Sequence, residues 1–164
     1  NKFSIIYRNN NIIDNENVLH IFRKRCMLKA IKFYVANNYA LAVSLKSDGI
    51  YLSSFNKNLS SLRYKSENFE IIGSAHNLKE ISEKLKQGCT TILLSKLFKV
   101  SYDKDAAFLG IHKFNNFQKI SKKIIPLGGI SVKNLNQLKN VFSEGFALLS
   151  EVKKKPAKIF SRLF

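Results

Sequence analysis

The chain has 164 residues, 45% hydrophobic and 12% aromatic, with two prolines and seven glycines. That is material for one compact domain over residues 1–164, and it excludes collagen-like, low-complexity and disordered chains. Twenty-eight Lys and Arg against eleven Asp and Glu give a net charge of +17, a field that attracts nucleic acid, anionic lipid and phosphorylated small molecules alike.

In chain order, short apolar runs alternate with amphipathic stretches, the pattern of strands separated by helices. The first strand is Phe3–Tyr7. Val18, Leu19, Phe22, Cys26 and Ala30 then recur at three and four residues, predicting a helix whose apolar stripe meets a sheet while Arg23, Lys24 and Lys29 face water. Strands follow at Lys32–Ala36, Gly49–Leu52 and Glu70–Gly73. Asn77, with Glu80 three residues later, caps a helix carrying Leu78, Ile81 and Leu85. Thr91–Ser95 and Ile124–Leu127 are the next strands. Ser131 caps a helix with Leu135, Leu138 and Phe142, and Ala147–Ser150 is a seventh strand. Pro156 opens a closing helix through Ile159, Phe160 and Leu163. Most strands are continuously apolar, as in parallel sheets covered on both faces.

Strand and helix units at roughly 20–25 residue spacing indicate an α/β fold with right-handed crossovers, a doubly wound sheet or a TIM barrel. Seven strands favour the barrel. Neither a dinucleotide-binding glycine motif nor a P-loop is present, nor is a hydrolase nucleophile elbow or a clustered zinc motif. No apolar run approaches the ~18 residues of a membrane span. Cys26 and Cys89 are isolated thiols that read as buried, reduced cysteines. Lys outnumbers Arg 23 to 5 beside 17 Asn. A coding bias toward Lys and Asn explains this better than a basic groove, since bidentate phosphate and guanine recognition favours Arg.

Ligands of parallel α/β folds bind at the C-terminal strand ends. The residues just past the strands include Arg8, Asn37, Asn38, Ser53, Ser74, His76, Ser95, Lys96, Gly128, Gly129 and Ser150. This set is polar, nearly free of carboxylates and suited to an anion. Gly128-Gly129, followed by Ile130-Ser131 and a helix, can bring backbone N–H groups to a phosphate, with Ser150 one strand later as its other half; a plain tight turn is the competing reading. His76 sits where a general acid or base could act, or where it could only hydrogen-bond structurally. His20 and His112 read as surface or linker residues. Asp48 could close a turn or reach a metal.

Several segments together resemble the thiamine-phosphate synthase and TenI family: Ile71-Ile72-Gly73-Ser74-Ala75-His76-Asn77-Leu78-Lys79-Glu80, Leu93-Leu94-Ser95-Lys96-Leu97-Phe98, Leu109-Gly110, Pro126-Leu127-Gly128-Gly129-Ile130 and Gly145-Phe146-Ala147-Leu148-Leu149-Ser150. Asp48-Gly49-Ile50-Tyr51-Leu52 looks like an earlier element of the same family. The resemblance implies a TIM (β/α)8 barrel lacking its first strand–helix unit, with Phe3–Tyr7 as the second strand. It implies either joining of a hydroxymethylpyrimidine diphosphate to a thiazole phosphate with Mg²⁺, or tautomerisation of the thiazole phosphate.

Carried over by position, Gly128, Gly129 and Ser150 hold the thiazole phosphate, and His76 matches the tautomerase histidine. Arg8 is the survivor of a Gln-x-Arg-x-Lys element falling on Ile6, Arg8 and Asn10. Asn37, Asn38 and Ser74 face the pyrimidine diphosphate. Asn38 replaces one expected Mg²⁺ carboxylate and Asp48 is assigned the other. A hydroxyl is also lost at the Phe98-Lys99-Val100 segment. The expectation is a cytoplasmic protein of thiamine synthesis with phosphorylated small-molecule substrates and neither nucleic-acid nor membrane partners, with homo-oligomerisation left open. The alternatives are a tautomerase using His76 and a degenerate barrel that binds phosphate without turnover.

Overall fold

The computed structural model describes residues 3–9, 15–64, 68–100, 105–120, 123–149 and 152. Six strands form one sheet in sequence order: β1 (Ser4–Tyr7), β2 (Lys32–Ala36), β3 (Gly49–Leu52), β4 (Glu70–Ala75), β5 (Thr91–Ser95) and β6 (Ile124–Leu127). Every neighbouring pair is parallel. The sheet curls as part of a TIM-type barrel, with α1 (Glu16–Leu28), α2 (Tyr39–Ser44), α3 (Leu78–Lys86) and α4 (Gly110–Phe117) among its connections. None of the described helices is long and apolar enough to cross a membrane.

The continuously apolar strands serve two cores because successive side chains point to opposite faces. On the outer face, Phe33 and Val35 pack with Leu19 and Cys26 of α1 and Ala42 of α2. Farther along, Ile50, Leu52, Ile71, Ile92, Leu94 and Ile124 join Ile81 of α3 and Phe114 of α4. On the inner face Tyr34, Tyr51, Ile72 and Leu93 form the barrel filling. Each large side chain so buried stabilises the fold by roughly 1.5–3 kcal/mol.

Five expected strands keep their termini or nearly so, and β4 runs two residues beyond Gly73 because Ser74 and Ala75 fit the same buried ladder. The expected seventh strand is reduced to one parallel bridge between Leu127 and Ala147. Ser150 and the closing helix after Lys155 lie outside the described residues. The segment Val132–Asn140 is a 3₁₀ helix rather than an α-helix. It buries no residue and carries three asparagines, whose side chains compete for backbone groups, so tertiary packing does not reinforce the α form.

Arg23, expected in water, is buried instead, and so is Lys84. Arg23 is 7% exposed and Lys84 is 0% exposed, whereas the apolar Leu78 and Leu85 are 53% and 42% exposed. Both cations turn inward to reach oxygen atoms far off in sequence. Arg23 donates to the Lys46 carbonyl at 2.9 and 3.1 Å and to Asp48 Oδ1 at 3.2 Å.

Candidate functional site at the C-terminal strand ends

Strands β2 to β4 build the first part of the rim. Asn37 has φ +57°, a left-handed conformation that Asn tolerates better than most residues. Its Oδ1 accepts from the Ser53 N–H at 3.1 Å, the Ser53 hydroxyl at 3.2 Å and Asn56 Nδ2 at 3.0 Å. Asn38 is committed elsewhere, its Oδ1 accepting from the Leu41 N–H at 3.0 Å as the cap of α2. Ser74 is buried on the inward face of β4, two residues from Ile72 of the barrel filling. Arg8 follows β1 and is exposed.

His76 comes next along the rim. Its backbone N–H donates to Glu80 Oε2 at 2.9 Å, and Asn77 with Glu80 forms the expected reciprocal cap at the start of α3. The ring Nδ1 lies 3.1 Å from the Ser95 carbonyl oxygen and 3.0 Å from the Ser95 hydroxyl. A carbonyl can only accept, so the contact assigns the proton of the neutral ring to Nδ1 and leaves Nε2 as the basic atom. Among the described residues Nε2 has no hydrogen-bond partner, and the ring is exposed.

The glycine turn completes the described rim. Gly128 and Gly129 have φ +88° and +73°, where a side chain would be strained. A Cβ on Gly129 would also meet the Phe98 carbonyl oxygen at 2.3 Å, and one on Gly128 would meet Lys96 Cα at 3.1 Å. The loop after β5 is therefore pressed against the turn, with the Leu97 and Phe98 N–H groups donating to the Leu127 and Gly128 carbonyls at 2.9 and 3.1 Å. Asn134 Nδ2 takes the Gly129 carbonyl at 2.7 Å while its Oδ1 accepts from the Ser131 N–H at 2.8 Å. With these oxygens occupied, the Gly129 and Ile130 N–H groups have no acceptor among the described residues. Successive amides of this kind at a turn leading into a helix bind anions.

Asp48 does not belong to this rim. It precedes β3 and so lies at the opposite end of the sheet from Asn37 and Asn38, which follow β2. Its Oδ2 accepts from the Phe33 N–H at 2.7 Å and pairs with Arg23 at 3.1 Å. Asp48 is a structural carboxylate that neutralises a buried guanidinium, and its assignment to Mg²⁺ is corrected. Nor do the other described rim residues fit a resident Mg²⁺, a hard cation that needs carboxylate or water oxygen. The side-chain oxygens of Asn37 and Asn38 are taken by internal donors, Glu80 by its cap, and no group of three His, Cys, Asp or Glu suited to a metal occurs among the described residues.

Two contributors to the rim carry no local signal of their role in the sequence. Ser95 was a rim residue without a role, and the structure makes it the partner of His76. Asn56 was not singled out, because nothing in the local pattern shows that its loop folds back onto Asn37. His112 lies on α4 rather than in a loop, and is exposed.

The sequence profile of the family described as thiamine monophosphate synthase matches residues 4–152. A thiamine-phosphate synthase of Bacillus mycoides is 27% identical over 131 residues, covering 77% of this chain and 59% of the relative. One from Prochlorococcus marinus strain AS9601 is 30% identical over 122 residues, covering 73% of this chain and 35% of the relative. The chain thus spans less than two thirds of the length of these relatives. Among solved structures, the thiamine phosphate pyrophosphorylase from Pyrococcus furiosus superposes with a TM-score of 0.68 at 19% identity, covering 97% of this chain and 82% of that one; at that identity the likeness speaks to the fold. The chain belongs to the thiamine monophosphate synthase family.

Proposed function

We propose that this member of the thiamine monophosphate synthase family works in thiamine synthesis, holding a thiazole phosphate at the Gly128–Gly129 turn and joining it to hydroxymethylpyrimidine diphosphate. The observation that carries the reading is the pair of amides at Gly129 and Ile130 without an acceptor among the described residues, in a turn where no side chain fits, beside a loop contributing Lys96. In the coupling, the bond between the pyrimidine methylene carbon and the diphosphate oxygen breaks, the thiazole nitrogen supplies the electron pair for the new C–N bond, and diphosphate departs. The residues that serve it are electrostatic: the glycine amides orient the thiazole through its phosphate, and Arg8 faces the departing diphosphate.

His76 supports a second reading, tautomerisation of the thiazole phosphate. With Nδ1–H directed at the Ser95 carbonyl, Nε2 can take a proton from one ring position and return it to another, which leaves the ring's composition unchanged. Purified protein given both synthase substrates with Mg²⁺, and separately the thiazole tautomer, distinguishes the two. Thiamine phosphate formation supports the synthase, isomer conversion alone supports the tautomerase, and turnover in neither assay contradicts both in favour of a binding protein.

A further inference from the structure

Among the described residues between β3 and β4 there is no α-helix; the chain runs as a loop over residues 53–58 and then as the 3₁₀ turn Leu59–Tyr64. Helix α3 holds this loop with a buried cation. The Lys84 side chain passes Gly73 of β4, where a Cβ would come within 2.9 Å of Lys84 Cγ and Cδ, so the missing side chain makes the passage. The ammonium donates to the Asn56 carbonyl at 2.5 Å and to Gln87 Oε1 at 2.8 Å. Gln87 Nε2 in turn donates to the carbonyls of Asn56 and Asn58 at 3.1 and 2.8 Å. Asn56 is therefore gripped twice by its backbone, while its side chain reaches Asn37 on the rim.

Burying an ammonium costs several kcal/mol unless its protons meet good acceptors, and a methionine would fill similar space without that cost. Burial also lowers the Lys84 pKa. What the lysine adds over an apolar side chain is a fixed position for one carbonyl, and that carbonyl belongs to the residue that orients Asn37.

We propose that Lys84 is a positioning residue for the diphosphate side of the site, fixing the Asn56 backbone so that the Asn56 and Asn37 amides keep their place on the rim. This rests on the reading that the Asn37 side receives the pyrimidine diphosphate. Lys84→Met and Asn56→Ala test it. In Lys84→Met, amide exchange of residues 53–58 quickens about tenfold or more while β2 is unaffected, and the KM for the pyrimidine diphosphate rises about tenfold with kcat and the thiazole phosphate KM unchanged. Asn56→Ala keeps the backbone grip, so it shows the KM change without the faster exchange and shifts the Asn37 side-chain amide resonance. Unchanged exchange in folded Lys84→Met overturns the proposal, as does an unmoved Asn37 resonance in Asn56→Ala should Lys84→Met fail to fold. If the unaltered protein has no turnover, the coupling reading fails by itself, and the exchange and resonance measurements still decide the role of Lys84.

Discussion

His76 follows β4 and Ser95 ends β5, and the register pairs Ser74 with Leu93 and Ala75 with Leu94, so residues just beyond these pairs meet at the rim. The division of labour between them makes a prediction. General acid–base catalysis contributes about 10²–10⁴ in rate, so if His76 moves the proton, His76→Asn lowers tautomer turnover by about that factor with thiazole phosphate affinity unchanged. Ser95→Ala leaves the backbone carbonyl that orients Nδ1 and costs about tenfold or less. Rapid-quench assays of both variants check the ratio; equal losses would contradict the roles assigned. The position of His76 after a strand was readable from Asn77 and Glu80, which mark the start of α3. Its partner was not, since Ser95 lies nineteen residues away. Asp48 shows the reverse failure: an Asp-Gly pair reads equally as turn or ligand until Arg23 is seen beside it.

Among elements, the ends of the sheet opposite the rim are tied by charge. Arg23 of α1 is buried and meets Asp48 and the Lys46 carbonyl. Asp48→Asn removes the counter-charge and is expected to lower stability by about 1–3 kcal/mol in urea unfolding while leaving thiazole phosphate affinity unchanged. A loss of affinity without a loss of stability would return Asp48 to the site. Glu70 accepts from Lys32 and, at 2.7 Å, from the Tyr34 hydroxyl. Burial alone would raise its pKa, but the Lys32 and Tyr34 bonds outweigh burial and hold it below the ordinary carboxylate value. A carboxylate depressed in the folded state contributes stability in full above its unfolded pKa of about 4.3 and loses it as pH falls through the folded value. Glu70→Gln should therefore flatten the acid limb of stability below about pH 5, as thermal unfolding across pH would show. The strands themselves were legible because burial on both faces makes them continuously apolar. Helices α2 and α4 and the 3₁₀ turn Leu59–Tyr64 were not, being short segments that depend on the sheet they cover.

For the whole molecule, the charge of +17 is distributed less simply than composition suggested. Two of its cations, Arg23 and Lys84, are internal fastenings, while the phosphate site proposed at the rim draws on the backbone amides of Gly129 and Ile130. The family and its barrel were visible in motifs scattered over the chain, and the profile match over residues 4–152 confirms the family. The arrangement around Asn37 and Asn38 was less legible, since amides there are consumed by contacts that only the folded loop reveals. In the proposed function the glycine turn binds the phosphate of a thiazole phosphate. Calorimetric titration of thiazole phosphate and of the unphosphorylated thiazole alcohol into the protein and its Gly129→Ala variant tests it most directly. Binding of the phosphorylated compound about a hundredfold tighter, equivalent to about 2.7 kcal/mol, with most of that advantage lost in the folded variant, is the predicted result; equal affinity for the two compounds, or an advantage untouched in Gly129→Ala, would contradict it.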